Sequence, residues 1–94
     1  MTAAEKQHLD RVASLGCLIC GSPAQIHHIR KGYGKGQRAP HWLTVPLCQT
    51  HHTGNDGIHY HPKIFEMRYC DELSLLAETR RRLHTGQKHD GSTV

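Results

Sequence analysis

Ninety-four residues carry a net charge of +4 with histidine neutral, a pI near 9.1, 36% hydrophobic residues and 5% aromatic ones. One domain of this size buries only about 60–65% of its unfolded surface, so its core calls for a disulfide or metal staple. No apolar run is long enough for a membrane helix, and the charged N-terminal segment lacks the apolar stretch of a signal peptide. The expected compartment is therefore the cytoplasm, with no membrane partner. There the four cysteines read as metal ligands or free thiols rather than as a disulfide framework.

Residues 3–15 read as a helix, with Leu9, Val12 and Ala13 on one stripe and Leu15-Gly16 as its stop. From Cys17 to His61 helical periodicity disappears and glycine, proline, cysteine and histidine dominate. Two short stretches there, Gln25–Ile29 and Trp42–Leu47, alternate with period two and predict a hairpin. Residues 30–40 form its long, glycine-punctuated connection, and Pro46 belongs at an edge. Residues 63–69 and 71–84 read as helices, the second capped by Asp71 and carrying Leu73, Leu76 and Leu83 near one face. Residues 87–94 show no pattern and read as a disordered tail.

Histidine is the compositional outlier: seven of its ten copies lie between His27 and His61. Cys17 and Cys20 form a C-x2-C knuckle, and Cys48 and His51 a C-x2-H knuckle. Two such knuckles supply four soft or borderline ligands, the set that tetrahedral structural zinc requires. Enclosing the hairpin between them would hold a segment too poor in apolar residues to hold itself. The alternative is a pair of buried or redox-active thiols, for which the usual βαβ context is missing. Cys70 reads as a buried free thiol on a helix. His27 and His28, as strand neighbours, point to opposite faces, so only one of them can reach a given ion.

The arrangement resembles an HNH (ββα-metal) endonuclease. The matching residues are Cys17, Cys20, His27-His28-Ile29, Val45-Pro46-Leu47-Cys48, His51 and His52, within a stretch of about 15–62. It is most similar to the phage recombination-enhancement nucleases, the RecA-dependent Ref type. That similarity extends to Gly16–Cys20, Ile26–Arg30, Gly32-Tyr33-Gly34 and Gln37-Arg38-Ala39. The resemblance implies an α+β fold: a small zinc-stapled ββα-metal core with flanking N- and C-terminal helices, one nuclease domain over residues 1–86. It also implies DNA cleavage, a setting in phage or prophage recombination, and a RecA-type recombinase filament as a further partner.

Under this resemblance His28 is the general base, a role that suits a neutral imidazole near its natural pKa. His27, His52 and His59 hold a catalytic divalent ion such as Mg2+, and neutral ligands leave its charge undiminished. The bland readings are a buried–exposed strand pair for His27 and His28, a surface position for His52, and exposed loop positions for His59 and His61. His41, beside Trp42, reads as a packing or substrate-contact residue. Asp56 is the only carboxylate between Asp10 and Glu66, which argues against a two-metal site built on carboxylates. Two departures from the family pattern stand out. Leu43 replaces the asparagine that braces the loop, and Gly54-Asn55-Asp56-Gly57 breaks the helix after the second knuckle.

Charge placement points to a nucleic-acid partner. Residues 11–55 contain Arg11, Arg30, Lys31, Lys35 and Arg38 and no acidic residue. The loop from Arg30 to Arg38 combines cations with Tyr33 and with glycines that let backbone approach phosphates. Arg30, Lys31, Lys35 and Arg38 are the expected DNA contacts. The rival function is a zinc-stapled DNA-binding module without catalysis.

Overall fold

The first helix, α1 (Ala3–Ser14), starts at a capping box. Thr2 Oγ1 accepts the Glu5 N–H at 3.1 Å, and Glu5 Oε1 accepts the Thr2 N–H at 2.7 Å. It buries Val12 and hands over through Leu15 to Gly16, whose φ of +80° reverses the chain at little cost only because it lacks a Cβ. This is the computed structural model of the chain; it describes residues 1–33 and 36–85. The tail at 87–94 and Lys35 lie outside the described residues.

Strand β1 (Gln25–His28) pairs antiparallel with β2 (Thr44–Leu47), with His27 opposite Val45 and His28 opposite Thr44. Among the described residues this is a two-stranded sheet. Each strand therefore has an edge with no strand partner among the described residues, which is where Pro46, with no N–H to give, can be accommodated. The Pro46 carbonyl accepts the Leu18 N–H at 3.1 Å, tying the first knuckle to the sheet. A short helix, α2 (Gln49–His52), follows β2 at once. Helix α3 (Pro62–Arg68) begins with proline in its first turn, where a missing N–H costs nothing, and buries Phe65. Helix α4 (Glu72–Thr85) is capped by Asp71, whose Oδ1 accepts the Ser74 N–H at 2.8 Å.

Both α1 and α4 pack on β2, α1 also reaches β1, and α2 packs across both strands. The core between them holds Val45, Leu47, Ile29, Ile58, Phe65, Leu75 and Leu76 together with Cys17 and Cys48. The Arg11 guanidinium donates to the Leu83 carbonyl at 3.1 Å and links α1 to the end of α4. The result is a small α+β fold. No helix among the described residues is long and apolar enough to cross a membrane.

Two expectations are corrected. The inward face of α4 is Glu72, Leu75, Leu76 and Thr79, spaced i, i+3, i+4, i+7, while Leu73 is half exposed. Leu75, Leu76 and Thr79 are buried along this stripe, and the Glu72 carboxylate at its head reaches His27 of β1 and the Arg30 and Lys31 N–H groups. Cys70 lies between α3 and α4 rather than on a helix, and is half-buried.

The turn at 54–57 folds the chain back onto α2. Gly57 donates to the Gly54 carbonyl, Ile58 to His51 and His59 to His52, each at 3.0 Å. A Cβ on Gly57 would stand 2.7 Å from the His52 carbonyl oxygen and 2.8 Å from that of Gly54, both of them backbone. Gly57→Ala is therefore expected to destabilise the fold by about 1–3 kcal/mol. Thermal denaturation checks this, and an unchanged melting temperature would contradict it.

Candidate metal centres and the adjoining groove

Two groups of side chains converge as metal ligands would, each with one donor atom per residue and all donors within 4.8 Å of one another. The first is Cys17, Cys20, Cys48 and His51. Its members arrive from both sides of the hairpin. In the first knuckle, Gly21 donates to the Cys17 carbonyl and Cys17 to that of Ser22, both at 2.8 Å. Cys48 and His51 are brought together by the first turn of α2.

Cys20 Sγ lies 3.6 Å from Cys48 Sγ, and His51 Nδ1 lies 3.2 Å from Cys48 Sγ and 3.7 Å from Cys17 Sγ. A zinc tetrahedron has S···S edges of about 3.8 Å and S···N edges of about 3.6 Å. The group can hold a zinc ion. Burial raises the Cys20 thiol pKa, but hydrogen bonds from Ser22, and then from the neighbouring cysteines, more than offset it and bring it down to about 6. The Ile19 N–H donates to Cys17 Sγ at 3.4 Å.

Asp56 stands behind this group. His51 Nε2 lies 3.3 Å from Asp56 Oδ2, leaving Nδ1 facing the cysteines. Tyr69 donates its hydroxyl to the same carboxylate, and Arg68 holds the other oxygen at 2.8 Å. The Tyr69 hydrogen bond is the main reason the Asp56 pKa is lowered. A carboxylate on the far nitrogen of a ligating histidine fixes its tautomer and raises its basicity. In the sequence Asp56 reads as part of a helix-breaking turn and as an isolated carboxylate, not as a partner of His51.

The second group is His27, His52 and His59. His27 is 1% exposed, and its Nε2 donates to Glu72 Oε2 at 2.7 Å. Its Nδ1 is buried with no hydrogen-bond partner among the described residues. The rings of His52 and His59 face it edge-on, with centroids 5.1 and 4.9 Å away. His52 Nε2 and His59 Nε2 are 3.0 Å apart; His52 Nδ1 donates to Gln25 Oε1 at 2.9 Å. The Arg30 guanidinium donates to His59 Nδ1 at 3.2 Å. Burial first, and then the neighbouring histidines, lowers the His52 pKa to about 4; burial also lowers that of His59. These imidazoles are neutral at neutral pH, the form that binds a metal. An orphaned buried ring nitrogen facing two neutral imidazoles fits a divalent ion.

His28 is turned away from Glu72. Its Nε2 lies 3.0 Å from His41 Nδ1, and burial lowers its pKa. His28, His52 and His59 nevertheless line one groove of about 760 Å³, together with Arg30, Arg38 and Tyr33. Lys31 lies on the wall of a neighbouring cavity of about 440 Å³ that also touches Glu72. Of the expected DNA contacts, Arg30 and Arg38 border the groove, Lys31 flanks it, and Lys35 lies outside the described residues. His61 is exposed at the start of α3, with its ring against Tyr60 rather than among the ligands.

Sequence reasoning missed Glu72 and Asp56 as parts of these sites, and it reads His41 as a packing or substrate-contact residue rather than as a partner of His28. Only for Glu72 was there a local cue, its place in the first turn of α4 beside the Asp71 cap. That cue concerns the helix and says nothing of a strand 45 residues away.

The model of the family described as "Protein of unknown function (DUF968)" matches residues 1–86. No curated protein and no solved structure matches the chain.

The purified protein is expected to carry about one zinc per chain. Cys17→Ser should lose the zinc and unfold the central segment, because metal binding there is folding free energy. Asp56→Ala should weaken zinc about 10- to 100-fold while leaving all four ligands in place. Elemental analysis and chelator competition read both effects, and well-folded protein without zinc would contradict the first.

Proposed function

We propose that this chain, which belongs to the family described as protein of unknown function (DUF968), is a metal-dependent DNA endonuclease that nicks with little sequence preference. One observation carries the reading: the buried, unpartnered Nδ1 of His27 faces His52 and His59, at the edge of a groove that His28 also lines. The order of elements supports it. His27 and His28 end β1, β2 leads through Cys48 into α2, and α2 ends on His52, as in the ββα-metal (HNH) core that the sequence resembles. No helix among the described residues resembles a base-reading helix, so in this reading the affinity comes from phosphate contacts.

In this reading His27, His52 and His59 hold the ion, with Glu72 fixing the His27 tautomer so that Nδ1 is the ligating atom. When bound there, a divalent ion such as Mg2+ supplies charge relief on the scissile phosphate and on the leaving 3′-oxygen. His28 takes the proton of the attacking water. Arg30, Lys31, Lys35 and Arg38 bind the flanking phosphates, and Arg30 already reaches the site through His59. The resemblance to the Ref type carries with it the setting in phage recombination and a recombinase filament as partner.

The rival reading, a zinc-stapled DNA-binding module without activity, rests on Leu43 standing where the family has an asparagine. The loop is braced without it. Thr44 Oγ1 donates to the His41 carbonyl at 3.0 Å, and the Ile29 N–H donates to the Leu43 carbonyl at 3.1 Å. The break after α2 also serves the site, since it returns His59 to His52.

Plasmid nicking with Mg2+ or Mn2+ against a chelator control tests the proposal. Wild-type protein should nick, and His28→Ala should be slower by about 100-fold or more while still binding DNA and zinc. His27→Ala and His52→Ala should instead raise the Mg2+ concentration needed for half-maximal rate. Wild-type protein that fails to cleave whichever divalent ion is supplied would leave the inactive module as the better account. Separately, changing Lys31, Lys35 and Arg38 together to alanine should weaken binding to all sequences alike. The salt dependence should flatten by roughly three charges, as filter binding across a salt series would read.

A further inference from the structure

His41 lies in the connection that precedes β2, thirteen residues from His28 in sequence. It is fixed there from several sides. Its carbonyl accepts the hydroxyl of Thr44, a residue with no exposed surface. Next to it the Leu43 N–H donates to Pro40 at 2.9 Å, and Trp42 packs its ring on His8 of α1 with centroids 4.9 Å apart. Because His28 pairs with Thr44 across the hairpin, a ring three residues before Thr44 can reach back to His28. The rings are 5.2 Å apart and tilted by 59°, with His28 Nε2 and His41 Nδ1 at hydrogen-bond distance.

We propose that His41 is a positioning residue for His28. This rests on the nuclease reading above and adds to it which nitrogen acts. The His28 Nε2–H donates to His41 Nδ1, which holds the ring and fixes the tautomer. The His28 Nδ1 lone pair is then left for the proton of the attacking water. In the step it serves, the water O–H bond breaks as the O–P bond forms, and the proton passes to His28 Nδ1. The P–O3′ bond breaks, and the leaving 3′-oxygen takes a proton from solvent. Throughout, the Nε2–H stays on His28 and in its bond to His41. A histidine oriented by a second side chain on its far nitrogen is the arrangement that general bases use elsewhere, where the wrong tautomer is costly.

The test uses the full zinc-loaded chain on plasmid DNA with Mn2+. His41→Ala and His41→Phe should lower the nicking kcat about 10- to 100-fold. KM for DNA, half-saturating Mn2+ and zinc content should not change. His41→Asn puts an amide oxygen where Nδ1 stands and should recover most of the rate. Long-range proton–nitrogen NMR should show His28 as the Nε2–H tautomer in wild type and in His41→Asn, and as a mixture in His41→Phe. Equal rates for wild type and His41→Phe would overturn the positioning role, as would an asparagine variant no faster than phenylalanine. Both outcomes leave the nuclease reading intact. Wild-type protein that never cleaves overturns that reading and this role together.

Discussion

The Glu72 carboxylate gathers three N–H groups from one short stretch of chain. It accepts His27 Nε2–H at 2.7 Å, the Arg30 N–H at 3.0 Å and the Lys31 N–H at 2.9 Å. Burial opposes its charge, yet the hydrogen bonds from His27, Arg30 and Lys31 prevail and its pKa is lowered. The end of β1, the start of the basic loop and the first turn of α4 thus meet on one side chain. The choice of Nδ1 as the free nitrogen of His27 follows from it. A helix that contributes no ligand of its own is in this way tied to the histidine cluster.

The same device appears twice. Asp56 holds the far nitrogen of His51 as Glu72 holds that of His27, and in each case the other nitrogen points at a group of donors. The two groups differ in chemistry. Three thiols and an imidazole suit a closed zinc site that holds the chain together. Three imidazoles beside a groove form a group that could hold a second ion, with no thiol among its donors. The two are joined through α2, where His51 belongs to one group and His52 to the other. Adjacent residues on one turn of helix therefore couple the four-residue group to the histidine group beside the groove.

Much of the fold was legible in the sequence. The periodicity at Leu9, Val12 and Ala13 gave α1 nearly to the residue, and the alternation at Gln25–Ile29 and Trp42–Leu47 gave the hairpin. Both are local signals, which is why they could be read. The ligand groups were legible for a different reason: knuckle spacing is short-range, and histidine is rare enough that clustering is informative. What could not be read was every partner supplied by tertiary contact. Glu72 and Asp56 are ordinary surface-type carboxylates until a strand or a helix meets them. On α4 leucine spacing alone favours Leu73, whereas the buried stripe is Leu75, Leu76 and Thr79, with Glu72 at its head reaching in to His27. The bracing of the connection was sought at Leu43, and it comes from the hydroxyl one residue later, at Thr44.

The central claim is that one chain holds two metals of different kinds. Anomalous diffraction from crystals of the zinc protein soaked in Mn2+ tests it most directly. The account predicts a zinc peak enclosed by Cys17, Cys20, Cys48 and His51, and a second metal peak between His27 Nδ1, His52 and His59. A structure with no metal among those three histidines, at saturating Mn2+, would contradict it.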